Sequence, residues 1–389
     1  MKQLRNLAAI AACLLAFAGC KKEISPAETE PQISEDVAAS GRGVDENLRK
    51  TDGKVYTLSN AAGGNQVIVY DRSANGMLYL KASYSTGGTG TGGGLGNQGA
   101  VVLSTDGETL LAVNPGSNSI SSFKVTGNGL NLKSTVASGG TMPVSITQYG
   151  HRVFVLNAGG TGNISGFELK PNNKLEPIYN STKPLSSSAS GAAQISFVRN
   201  GMVLVVTEKS TNKIITYRVN ENGIPGNMHS ITSATPTPFG FAPGQFGNIY
   251  VSEAAGGAAN ASTITSYHIA INGSIALNDG PLGAGQSAAC WVVLTDNGKY
   301  AYTTNTGSGN LSSFRVHPFS GNLSIGHAIA ATSGAGPIDA ALSMGSDYLY
   351  VLNGGSHTIS VYSVAENGNL QNIQTVDGIP VGATGMAAK

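Results

Sequence analysis

Charged side chains are scarce in this chain. Asp, Glu, Lys and Arg make up 12% of its 389 residues, about half of the quarter found in ordinary domains. Surface helices need charged faces, so the shortage argues against a helical protein. No repeated segment places its apolar residues at the 3.6-residue period either. The formal net charge is +1 and no basic stripe exists, so the electrostatic footprint of a nucleic-acid binder is missing. The six histidines are scattered singly. No pair has zinc-ligand spacing, and neither H-E-x-x-H nor G-x-S-x-G occurs.

Cysteine is also rare. Two of the three cysteines, Cys13 and Cys20, fall in the first twenty residues. There Lys2 and Arg5 precede an apolar run, Leu7 to Phe17, that is too short to cross a bilayer. The run ends in "FAGC", which resembles a bacterial lipobox with Phe17 where Leu is usual. This predicts a signal peptide over 1–19 and lipidation of Cys20. An ordinary secretory signal would change the anchor and leave export intact. No second apolar run is long enough to span, so the mature chain is expected to be anchored to the outer membrane through lipid, on its periplasmic or cell-surface side. Residues 20–51 are rich in Glu, Lys, Ser and Pro and read as a tether. Cys290 is then left alone, and no disulfide framework is expected.

What the chain has in abundance is glycine, 53 residues, about twice the usual share of roughly 7%. It also repeats itself. The segments "VYTLSN", "LLAVNP", "VFVLNA", "VLVVTE", "IYVSEA", "YAYTTN" and "YLYVLN" each read as a strand ending in a polar residue at a turn. Those residues are Asn60, Asn114, Asn157, Glu208, Glu253, Asn305 and Asn353. Their mean spacing is about 49 residues, within the range of propeller repeats. Each unit adds a second strand such as "KIITYRV" or "NLSSFRV", a Gly- or Asn-bearing turn, and two weaker apolar strands. The reading is an all-β fold over 52–389, a seven-bladed β-propeller with four-stranded blades. The first unit lacks its inner strand and the chain ends in a spare one, "PVGATGMAA" (380–388). Pairing the two closes the ring and removes both edges. The run "GGTGTGGGLGNQG" (87–99) contains G-x-G-x-x-G, but a strand follows it where a phosphate site needs a helix. It reads as a loop between blades.

In a propeller the polar column rings one mouth of the central channel. Asn serves such turns through its own backbone hydrogen bonds. Glu does not, which singles out Glu208, its neighbour Lys209, and Glu253; a solvated Glu208–Lys209 pair is the structural alternative. Fourteen residues before each polar residue lies a second column on the inner strands, including Gln194, Trp291 and Asp339. Trp291 is the only tryptophan and belongs either to the core or to a ligand platform. Asp339 is hard to bury unpaired and is expected to face the channel or to be hydrogen-bonded. The expected catalytic set is Glu208 or Glu253 as general base, with Lys209 or turn N–H groups on the oxyanion. Trp291, Asp339, Asn305, Asn157 and Gln194 would bind substrate. No cofactor is expected, although a ring of carboxylate and amide oxygens could hold a hard cation such as Ca²⁺.

Repeats such as "TDNGKYAYTTNTGSGNLSSFRV" and "STDGETLLAVNPGSNSISSFKV" resemble those of the seven-bladed lactonase propellers, the 6-phosphogluconolactonases and carboxymuconate cyclases. The likeness runs from about residue 53 to the end. It implies hydrolysis or formation of a lactone of a sugar or aromatic acid, with a small lactone or carbohydrate-derived ligand and a monomeric chain. In the characterised family an Arg-His pair and a Glu would fall on Cys290, Trp291 and Thr306. None of the three is retained, so the family's roles do not transfer to these positions. Export also argues against a phosphogluconolactone substrate. The second reading, from a different class, is a binding or scaffold propeller without turnover.

Overall fold

The computed structural model describes residues 51–389. The expected signal peptide, Cys20 and nearly all of the expected tether lie outside the described residues. Seven antiparallel sheets follow one another along the chain, each of four strands, with one short extra strand in the third. They are the blades of a propeller, numbered here in chain order. Blade 1 contains Thr51–Leu58, Gln66–Ser73 and Leu78–Ser85, and its innermost strand is the C-terminal Thr384–Ala388. Val55, Tyr56 and Leu58 pair with Ala388, Ala387 and Thr384. Beyond them Lys389 and Lys54 exchange backbone hydrogen bonds at 2.8 and 3.2 Å. The expected closure of the ring by the chain's last strand is therefore present.

The second strand is the most deeply buried in blades 2, 4 and 5. Thr109–Asn114, Val203–Glu208 and Asn248–Glu253 are buried at every position. Period-2 alternation still sends neighbouring side chains to opposite faces, but both faces pack against another blade. One cluster joins Tyr56, Val67 and Val69 of blade 1 to Leu110, Ala112 and Ile120 of blade 2. Another joins Val55 and Ile68 of blade 1 to Tyr350, Leu352 and Val361 of blade 7. Outer strands lose one of these neighbours, and Leu78–Ser85 has the pattern of a half-exposed edge.

Strand polarity defines two faces. The upper face carries the turns after each second strand and the entries to the inner strands. The lower face carries the turns between first and second strands and between third and fourth.

Candidate functional site at the plugged channel mouth

The glycine-rich run leaves the outer edge of blade 1 and crosses the upper face to the centre. Asn60 holds its first half: the amide donates to Thr91 Oγ1 at 3.0 Å and to the Gly93 carbonyl at 2.6 Å. Thr91 N donates back to Asn60 Oδ1 at 3.0 Å. Gly90 lies so close that a Cβ there would sit 2.1 Å from the Asn60 carbonyl carbon, which explains glycine at that position. The run then descends between the inner strands, and Asn97 and Gln98 are buried there.

These two residues touch four blades. Gln98 N donates to the Ala193 carbonyl of blade 4 at 3.1 Å. The Gln98 side chain brackets Val292 of blade 6, donating to its carbonyl at 2.8 Å and accepting from its N–H at 3.3 Å. Ser145 of blade 3 donates to the Gln98 carbonyl at 2.6 Å. Thr384 of blade 1 donates to Asn97 Oδ1 at 3.3 Å. Trp291 Nε1 of blade 6 donates to the Asn97 carbonyl at 2.6 Å. The inter-blade loop is thus a plug across the channel. Its signal in the sequence was "GNQG" at its end, two amide side chains with four hydrogen-bonding groups each way, set between glycines.

The predicted residues separate around this plug. Glu208 is fully buried, and its carboxylate accepts from Ser186 N at 2.9 Å, from Thr211 Oγ1 at 2.6 Å and from the Ser186 hydroxyl. Glu253 is equally buried and accepts from four hydroxyls: Ser233 at 2.5 Å, Thr263 at 2.7 Å, Thr265 at 2.6 Å and Tyr267 at 2.9 Å. Tyr267 packs among Val198, Val203 and Val205 of blade 4, so Glu253 lies in the crease between blades 4 and 5. Neither carboxylate presents an idle oxygen to the channel. This corrects the expected geometry of a general base at the mouth, and no Glu208–Lys209 pair forms.

The polar column is instead a set of crease locks. Asn114, Asn305 and Asn353 each donate from Nδ2 to groups on the third strand of their own blade: Ser119 and Ser121, Asn310 and Ser312, Thr358 and Ser360. Asn157 donates to Asn163 Oδ1 at 2.8 Å and the Ser138 carbonyl at 3.2 Å. Where the column holds Asn, the arriving connector can pass as glycine. A Cβ on Gly88, Gly140 or Gly334 would come within 2.5, 2.6 or 2.9 Å of Asn114, Asn157 or Asn353. Where it holds Glu, the connector supplies a serine donor instead, Ser186 or Ser233. Asn305 and Asn157, expected at a substrate, are committed to the blades.

The inner column is committed as well. Gln194 brackets Phe241 of the next blade, donating to its carbonyl at 2.9 Å and accepting from its N–H at 2.6 Å. Trp291 is 4% exposed and packs on Phe239 with ring centroids 4.8 Å apart. Asp339 is 2% exposed; its Oδ1 accepts from Ala340 N at 2.8 Å, and its Oδ2 has no partner. Burial pushes its carboxyl well above the usual range, against smaller opposing backbone hydrogen bonds from Ala340 and Met386.

Lys209 alone of the expected catalytic set reaches the mouth. Its ammonium lies 4.5 Å from the Phe239 ring centroid and donates to the Gly96 carbonyl of the plug. Among the described residues it has no ion-pair partner. Desolvation lowers its pKa to about 8. Beside it lies an apolar patch of Ala193, Phe239, Ala254, Cys290 and Trp291, with Ala288 and Ile338 packed against it. Burial raises the Cys290 thiol to about 11. No group of three or more His, Cys, Asp or Glu residues suited to a metal occurs among the described residues.

Among curated proteins none matches the chain in sequence. Solved structures match in fold. A Bacteroides fragilis protein provisionally assigned as a 6-phosphogluconolactonase superposes with a TM-score of 0.68 at 16% identity, covering 87% of this chain and 98% of its own. A Lactobacillus plantarum protein gives 0.69 at 17%, with 87% and 99% covered. The periplasmic gluconolactonase of Pseudomonas aeruginosa gives 0.63 at 17%, with 84% and 97% covered. The family model described as "Lactonase, 7-bladed beta-propeller" matches residues 55–183 and 260–389. With its seven blades, plugged channel and matched repeats at both ends, the chain belongs to the seven-bladed lactonase propeller family.

Proposed function

We propose that this chain is an exported, lipid-anchored lactonase-like hydrolase that binds a small sugar or aromatic lactone at the upper mouth, with Lys209 as its general base. The observation that carries this reading is a half-buried amine with no carboxylate partner among the described residues, standing over an apolar patch beside the plug. Its lowered pKa leaves about a tenth of the amine neutral at pH 7. A base tuned near the working pH is the effective kind. Neutral Lys209 would take a proton from a water as that water attacks the lactone carbonyl. The tetrahedral intermediate then collapses with cleavage of the ring C–O bond, and the new ammonium returns its proton to the departing alkoxide oxygen, which becomes the product's hydroxyl. Phe239, on whose ring the Lys209 ammonium rests, offers the apolar wall for the ring of the substrate. Glu208 and Glu253 take no part in this scheme, because all their oxygens are engaged within the creases.

The test is hydrolysis of a panel of sugar and aromatic lactones followed by pH-stat, with Lys209→Met beside the wild type. Turnover undiminished in that variant would reject the role of Lys209.

One observation favours a second reading, a binding propeller without turnover. Cys290, Trp291 and Thr306 stand where the family resemblance placed Arg, His and Glu, and the first two are buried. Thr306 itself donates to the Pro337 carbonyl at 2.8 Å. That reading expects a ligand-induced rise in Tm with no product released.

A further inference from the structure

The lower face carries an apolar ridge. Phe246 and Phe319 are 54% and 72% exposed, yet their rings stack with centroids 5.5 Å apart. Phe246 belongs to the turn between the first two strands of blade 5, and Phe319 to the turn between the last two of blade 6. Ile271 borders the same depression as Phe246. Met344 stands on the corresponding turn of blade 7, which is bonded to blade 6. There Gly345 N donates to the Asp296 carboxylate at 2.7 Å, and Asp296 N donates to Ser346 Oγ at 2.9 Å. Ile271 of blade 5 and Met344 of blade 7 are exposed on the same face, so three neighbouring blades each present an apolar side chain there. Single exposed apolar residues are ordinary, whereas a contiguous group of them marks a contact surface.

The chain enters on this same face, next to the ridge. Strand Thr51–Leu58 begins on the lower face, and Asp52 forms a 3.0 Å ion pair with Arg72. The Arg72 guanidinium lies 5.7 Å from the ring centroid of Tyr348. Tyr348 opens the second strand of blade 7, directly after the Met344 turn. Lys299, Arg315 and His317 line a depression beside Phe319, suited to anionic headgroups. Cys20 precedes Thr51 by 31 positions, a length of chain that keeps the lower face within reach of a bilayer holding a lipid at Cys20. A lipid at Cys20 would therefore hold the ridge at high local concentration over the bilayer. Exposed aromatic rings are favoured at that interface.

We propose that the ridge of Phe246, Ile271, Phe319 and Met344 seats the propeller on the phospholipid surface to which Cys20 anchors it, with the plugged mouth turned away from the bilayer. The proposal rests on the reading of the chain as exported and lipidated, and it is independent of any turnover at Lys209.

The test uses the full lipidated protein in phosphatidylethanolamine–phosphatidylglycerol vesicles whose acyl chains are brominated. Phe319→Trp is compared with Ala259→Trp, which lies on the upper face of blade 5, and the wild-type Trp291 signal is subtracted from each. The emission added by Phe319→Trp should be quenched at least twofold, and that added by Ala259→Trp should be unchanged. No quenching at 319, or quenching at 259, overturns the seating. An unquenched signal with doubled mass in light scattering would assign the ridge to a second copy of the chain and likewise overturn it. Intact mass and flotation of the same sample decide the anchor separately. A floating, diacylated chain without quenching at 319 fails the seating alone, and an unacylated chain that does not float overturns both.

Discussion

The indole N–H of Trp291 donates to the carbonyl of Asn97 at 2.6 Å, joining two residues 194 positions apart at the centre of the ring. The chain's only tryptophan therefore reports on whether the plug is seated. Gln98→Ala removes both arms of the bracket on Val292 and leaves a buried N–H and carbonyl without partners. The loss should be about 2–3 kcal/mol of stability, read from urea unfolding. Trp291 emission should shift to the red before the global transition as the plug loosens.

Glu253 illustrates a carboxylate whose work is structural. Four hydroxyls point their hydrogens at it, so Glu253→Ala should cost at least about 2 kcal/mol. Glu253→Gln should restore part of that loss, since hydroxyls can rotate to accept from an amide. Lactone turnover per folded molecule should be unchanged in Glu253→Gln. A large fall in kcat with stability intact would return Glu253 to the catalytic set.

Asp339 predicts a pH dependence of known sign. Its carboxyl is raised in the fold, so the native state holds a proton that the unfolded chain releases near pH 4. The stability linked to this proton is complete below the unfolded pKa and declines as pH climbs toward the folded one. Gln194 occupies the equivalent place in blade 4 and brackets the next blade with an amide. Asp339→Asn should therefore be tolerated, and its advantage over the wild type in chemical denaturation should widen from about pH 4 upward. A gap that stays constant with pH would contradict this account.

Lys209 supplies a second titration. As a general base with a pKa lowered to about 8, it should make kcat/KM rise with pH and level off above that value. Lys209→Arg should abolish the plateau, because a guanidinium stays protonated. A profile that falls through the same range would instead assign the cationic form the active role.

Much of the architecture was legible in the sequence because strand, turn and strand recur on one scale and the two ends of the chain are complementary. The site was less so. "VVTEKS" marks Glu208 and Lys209 as departures from the Asn column, but neighbours on an extended chain point to opposite sides. Only the crease geometry shows that Glu208 turns inward to Ser186 while Lys209 turns to the plug. Ser186 and Ser233 precede their glutamates by 22 and 20 residues, at the ends of loops of different length, so no fixed spacing announces the pairs. The role of Gln98 was hidden for a similar reason, since its partners belong to blades far along the chain.

The inner strand of blade 1 comes after every other strand of the ring in the sequence, and Thr384 on that strand also touches the plug across 287 positions. Contacts of such long range form late. The first blade and the centre must therefore wait, unfinished, until that strand has arrived. A chain shortened by even one strand would lose two things together, the seam of the ring and one wall around its keystone.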